Sequence, residues 1–267
     1  MNRITKKIAV IAERLSRQRT VRQQTKYGFQ LLLDLRNDVD YRFYLNDFEE
    51  NTIRQYLLSI KPGMTVIDVG ANIGIYTLLA SNQVGVNGHV YAFEPAHRAY
   101  IKLKNNIEIN NFLNITPIRS GVSDYDGETI FNVCDDDAYN SLGRSPMRKV
   151  KSTETIKIVT IDKFVQLNNI KKIDVIKVDT EGAEYLVFKG AINTLRRDKP
   201  VLFFEYNPFA GVGFDFDPIE SIRALKSLNY EFYEFVDGKF KEIVDENVTT
   251  NDVIAFPVAE DTITNRP

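Results

Sequence analysis

The sequence predicts an α/β protein of the Rossmann-like kind, a mostly parallel sheet flanked by helices, and three observations carry that expectation. A β-branched run, Thr65 to Val69, closes on a glycine turn and passes into helical spacing from Ile75 to Ala80. Short apolar runs then recur at 90–93, 115–118, 173–178 and 201–204 with helical or polar stretches between them. Acids stand at the ends of these runs: Asp68, Glu94, Asp179 and Glu205.

Residues 2–24 differ from the rest. Ile4, Ile8, Ile11 and Leu15 fall on one helical stripe, and Arg3, Lys6, Lys7, Arg14, Arg17, Arg19 and Arg22 make the remainder basic. The spacing predicts a basic amphipathic helix over 1–25, able to lie on an anionic membrane surface, to serve as a homodimer arm or to pack on its own domain. A single domain is expected over 26–258, followed by a tail at 259–267.

Within that domain Tyr27 to Leu35 alternates as a strand, and Tyr41 to Leu45 is its expected partner. Asp47 can cap a helix from Phe48 to Ser59, which Lys61-Pro62-Gly63 ends. After the central unit, Pro95 opens a helix to Asn110, and Ile115 to Ile118 is a third core strand. Ile130 to Val133 and Thr155 to Val159 read as strands around a polar stretch in which Tyr139 to Ser145 suits a lid or substrate-selecting loop. Pro218 to Leu228 is helical, and Tyr230 to Val236 and Asp252 to Phe256 close the chain as two strands, giving an expected seven-stranded sheet.

The turn Asp68-Val69-Gly70-Ala71-Asn72-Ile73-Gly74-Ile75-Tyr76-Thr77 limits the ligand. A dinucleotide site requires G-x-G-x-x-G, whereas here only Gly70 and Gly74 are present and Asp68 would repel a pyrophosphate. The methionine end of S-adenosylmethionine, with an ammonium and no phosphate, suits the turn better. Glu94, ending the next strand, is placed to accept ribose hydroxyls. Ser123 and Asp124 lie in the turn where such folds receive an adenine.

Asp179-Thr180-Glu181-Gly182-Ala183-Glu184 puts more acid at a strand end than helix capping needs, and Lys177 within the apolar strand requires a buried partner. One of these acids, or Glu205, is the expected pair. Asp135 to Asp137 reads as a solvated acidic turn, His97 as a surface histidine, and the two histidines build no metal site. Metal dependence is not expected, although carboxylates alone can hold magnesium.

With 267 residues, 43% hydrophobic and 26% charged, the chain is ordinary globular material. Its net charge of -2 argues against general nucleic-acid binding. The single cysteine, Cys134, excludes an internal disulfide framework, and no signal peptide or membrane span is visible, so a cytoplasmic protein is expected.

Asp68 to Gly74, Phe93-Glu94-Pro95, Lys177 to Glu184 and Phe204-Glu205 together resemble the FkbM family of S-adenosylmethionine-dependent methyltransferases, over about Tyr44 to Phe256. The resemblance implies a class I methyltransferase fold whose last strand is antiparallel. It implies O-methylation of hydroxyls on sugars or secondary metabolites, with carboxylates reported for some members. It also implies cofactor binding by the first turn (Asp68, Gly70, Asn72, Gly74, Thr77) and Glu94, with Asp179 both meeting the cofactor and, with its neighbours, facing the methyl. A base for an alcohol would be Asp179, Glu181 or Glu205, fixed by Lys177; a small-acid or peptide carboxylate would instead need a cation such as Lys177 or Arg144. Two rivals remain: a nicotinamide dehydrogenase, disfavoured by the missing glycine, and a non-catalytic interaction domain.

Overall fold

Apolar residues alternating with period two set the two faces of the central sheet. The computed structural model describes residues 20–258 apart from 49, 137–139, 144–148, 208–213, 237–238, 245, 247 and 249–250. Its strands are β1 (Thr20–Gln24), β2 (Gln30–Asp34), β3 (Thr65–Val69), β4 (His89–Phe93), β5 (Ile115–Ile118), β6 (Gly121–Val122), β7 (Gly127–Cys134), β8 (Val150–Val159), β9 (Val175–Val178), β10 (Val201–Glu205), β11 (Tyr230–Val236), β12 (Lys239–Glu242) and β13 (Asp252–Pro257). Its helices are α1 (Asp38–Tyr44), α2 (Glu50–Leu58), α3 (Ile75–Val84), α4 (His97–Glu108), α5 (Ile161–Leu167), α6 (Glu184–Lys189), α7 (Ile192–Asp198) and α8 (Ile219–Lys226).

The main sheet runs β12-β11-β13-β10-β9-β3-β4-β5. Strands β10, β9, β3, β4 and β5 are parallel, and β13 lies antiparallel between β10 and β11. The last strand is antiparallel, as the family resemblance implies, but the sheet has eight strands and not the expected seven, because β12 adds to the edge as a hairpin on β11. On β3, Val66 faces the core shared with Leu33, Tyr56, Leu78 and Phe203, while Ile67 and Val69 face the core shared with Phe93, Val178 and Phe204. Strands β6, β8 and β7 form a separate three-stranded sheet beside the carboxyl ends of the main one. Among the described residues no helix is long and apolar enough to cross a membrane.

Two expectations fail at the amino end. Tyr41 to Leu45 is not a strand, because Asp38 and Asp40 occupy the first turn of α1, Arg42 its last, and Phe43 turns into the core. Asp40 accepts the Asp34 backbone N–H at 2.6 Å, which ties the helix to the end of β2. The partner of β2 is β1, paired from Thr20↔Asp34 to Gln24↔Gln30, so 20–24 belong to the domain and not to a leader helix. The remainder of the basic stretch and the tail lie outside the described residues.

Gly70 fixes how the two central strands meet. It has φ +79°, and a Cβ there would stand 1.8 Å from the Asp179 carbonyl oxygen. Gly74, at φ +96°, would instead drive a Cβ into Leu103, so its glycine serves helix packing. Gly70→Ala is expected to destabilise the protein well beyond Gly85→Ala, where φ is +67° but the space is open. The control isolates backbone strain of about 1–2 kcal/mol, or a few degrees of melting temperature. Equal shifts of the thermal midpoint in the two variants would refute the close approach.

Candidate active site

The site begins with a cross-strand ladder. Asp68 on β3 and Lys177 on β9 are register partners, as are Lys177 and Phe203 on β10. Their Nζ–Oδ1 distance is 3.7 Å, with both side chains buried. Asp68 Oδ2 accepts the Thr77 hydroxyl, and Lys177 Nζ also sits 4.8 Å from the Tyr76 ring. Burial pushes the Asp68 carboxyl up, and Lys177 opposes the shift. Lys177 reaches further to Asp179 Oδ2 at 3.2 Å, whose side chain is 42% exposed. The partner expected from the sequence is thus found in Asp179, while the buried pair with Asp68 across the sheet was not anticipated.

A cavity of about 490 Å³ opens at the carboxyl ends of these strands. The turn lines it through Gly70, Ala71, Asn72 and Ile73; Glu94 and Ser120 to Val122 line a second part, and Lys177, Asp179, Glu181, Glu205 and Asp252 a third. Glu94 is locked in orientation, its two oxygens accepting the backbone N–H groups of Asn72 and Ala96, each at 2.8 Å. Asn72 takes φ +49°, and its buried Oδ1 has no hydrogen-bond partner. Asn140 also lines the wall: its Oδ1 accepts the Cys134 N–H at 2.8 Å, while Nδ2 is buried without a partner.

The sequence-predicted residues divide accordingly. Gly70, Asn72, Glu94, Lys177, Asp179, Glu181 and Glu205 converge on the cavity; Asp68, Gly74, Thr77, Ser123 and Asp124 do not line it. Asp68 and Thr77 hold the turn from beneath. Ser123 N–H bonds the Val159 carbonyl at 3.1 Å, and Asp124 pairs with Lys189 at 2.6 Å, so the loop meets the cavity earlier, at Ser120 to Val122. Tyr139 and Arg144 lie outside the described residues, but Asn140 and Leu142 from the same loop do reach the wall.

Glu184 is structural. Buried, it accepts Thr180 N–H and hydroxyl, both at 2.8 Å, and Gly182 N–H at 3.3 Å. It thereby holds the turn on which Glu181 sits at φ +55°. Asp179, Glu181 and Glu205 bring carboxylate oxygens within 4.8 Å of one another, a spacing that a divalent cation can bridge. The histidines gave no hint of this cluster, because it forms only where β9 and β10 end side by side. Burial first, then the neighbouring acids, raise the Glu181 carboxyl to about 8 and that of Glu205 to about 10.

The Methyltransferase FkbM domain model matches residues 68–232. The chain belongs to the FkbM methyltransferase family. Hexuronic acid methyltransferase AglP of Haloferax volcanii is 31% identical over 151 residues, 55% of this chain and 58% of that protein. Methyltransferase 1 of Beauveria bassiana is 23% identical over 143 residues, 47% and 57% of the respective lengths. The FkbM chain thus spans little more than half of these curated relatives. A solved FkbM methyltransferase from Methylobacillus flagellatus is 17% identical, covers 95% of this chain and 59% of its own, and superposes with a TM-score of 0.49.

S-adenosylmethionine is the cofactor of this FkbM domain. The residues fit it: Asn72 offers an orphaned acceptor, Glu94 a fixed carboxylate, and the turn a glycine-lined approach.

The raised acids make the cofactor-free FkbM domain less stable in alkali. An acid whose folded pKa lies above its unfolded value binds more protons when folded, so stability falls as pH climbs from about 4.5 through the folded value. In chelator-containing buffer the thermal midpoint should fall between pH 6 and 8, and Glu205→Gln should raise it by a few degrees at pH 8 while flattening the slope (order of magnitude). A midpoint that instead rises across this window in the wild type would contradict the assignment.

Proposed function

We propose that the chain is an S-adenosylmethionine-dependent O-methyltransferase acting on a sugar hydroxyl. The observation that supports this most is Asp179: a part-exposed carboxylate at a strand tip, held by Lys177 at 3.2 Å, on a residue whose backbone packs against the glycine turn at Gly70. Bound cofactor supplies an electrophilic methyl. The chain's own task is to align the acceptor oxygen with it and to take the hydroxyl proton.

Asp179 is the base in this reading. Glu181 and Glu205, kept protonated by burial and by their acidic neighbours, donate hydrogen bonds to the acceptor more readily than they accept a proton. Lys177 keeps the Asp179 carboxylate oriented while Asp68 anchors Lys177 from below. A carboxylate acceptor would need no base and would gain nothing from three converging acids. The aromatic walls Phe48, Tyr76, Phe131 and Phe203 suit a sugar ring, and the relative AglP, named as a hexuronic acid methyltransferase, supports a saccharide acceptor.

Asp179→Asn should bind S-adenosylhomocysteine as the wild type does and lose at least about a hundredfold in kcat. Glu94→Ala should weaken S-adenosylhomocysteine about tenfold or more by isothermal titration. Normal turnover by Asp179→Asn would remove the proposed base.

A further inference from the structure

Two cations line the cavity among the described residues, and they are placed differently. Lys177 is engaged by Asp68 and Asp179. Arg42, near the end of α1, is half-buried, and no carboxylate among the described residues pairs with it; Asp38, one turn earlier on the same wall, is not within ion-pair distance. Its guanidinium carbon lies 5.6 Å from the Phe48 ring centre. A guanidinium held over a ring and not in an ion pair keeps N–H edges available, and those edges match a carboxylate or phosphate in a bidentate fork.

The position of Arg42 relative to the methyl-transfer residues is set by a chain of rings. Phe48 lies 6.5 Å from Tyr76, and Tyr76 lies beneath Lys177 at 4.8 Å. Arg42 therefore occupies the same wall as the reacting end, two rings away from it. At the Asp179 end the one cation, Lys177, is already engaged by Asp68 and Asp179, so the counter-charge for an anionic acceptor is offered at Arg42.

We infer that the acceptor is an acidic sugar whose anionic group docks on Arg42, leaving a hydroxyl rather than the carboxylate at Asp179. This rests on the sugar O-methyltransferase reading and adds to it the class of acceptor and the atom that is methylated. Arg42 is the specificity residue, and Phe48 positions its guanidinium.

The test uses the full chain loaded with S-adenosylhomocysteine and titrated with methyl glucuronide, methyl galacturonide, the matching neutral glycosides and glucose 6-phosphate. At least one uronide should bind about tenfold tighter than its neutral counterpart, and Arg42→Gln should abolish that preference while leaving S-adenosylhomocysteine affinity unchanged. Arg42→Lys should restore only part of it, because an ammonium lacks the fork. Tighter binding of the sugar phosphate than of any uronide would assign the arginine to phosphate and overturn the uronate. Loss of S-adenosylhomocysteine affinity in Arg42→Gln would assign it to the cofactor's own carboxylate and overturn the inference, as would the absence of any anionic preference. Turnover with labelled S-adenosylmethionine is read separately: a product stable to mild alkali is the expected ether, and methanol release would reveal an ester. Uronide binding with no transfer would leave the docking intact and count against the methyltransferase reading alone.

Discussion

The buried pair of Asp68 and Lys177 is the constraint on which the rest of this molecule depends. Charges in the interior are tolerated only when paired, and removing one partner of such a pair commonly costs about 3–5 kcal/mol. Here the cost is contained because every element around the pair serves it. Thr77 donates to one oxygen of Asp68, Tyr76 offers its ring face to the ammonium, and Phe203 closes the ladder from β10. The same ammonium then extends to Asp179, so that a structural charge in the sheet becomes the orienting group of the site.

Above that pair the architecture separates two kinds of acid. Glu94 and Glu184 spend their oxygens on backbone N–H groups and so shape loops. Asp179, Glu181 and Glu205 face one another across the ends of adjacent strands, and Asp252 joins them from β13, where it accepts the Thr52 hydroxyl at 2.7 Å. Concentrating carboxylates in a half-buried cleft opposes folding, a pattern expected where a site and not the core dictates the residues.

Much of this was legible in the sequence. The central strand, its turn and the acids at successive strand ends fix a parallel sheet and the place of its cleft, because β-branched runs and glycine turns act locally. Thr20 to Gln24 was not legible: its alternation is short, and the basic residues around Arg22 read equally well as a helix. Tyr41 to Leu45 misled for a similar reason, since its aromatic residues favour strands while Asp38 and Asp40, just upstream, start a helix. Arg42 and Asp252 were missed because nothing in their own neighbourhoods marks them, and Asn140 was marked only as part of the loop Tyr139 to Ser145. They join the cavity only through contacts across the fold, and a single sequence carries no record of those.

The meeting of Gly70 with Asp179 has a mechanical meaning. The Asp179 N–H bonds the Val69 carbonyl at 3.0 Å, and its own carbonyl presses on the glycine α-carbon with no room for a methyl. The glycine turn after β3 and the strand tip that carries Asp179 are thus held to each other at the backbone instead of standing as two separate arms. For the transfer proposed above, in which an error of about an ångström in alignment is costly, that one backbone contact fixes the spacing of turn and acid, and choice among acceptors falls to the outer walls.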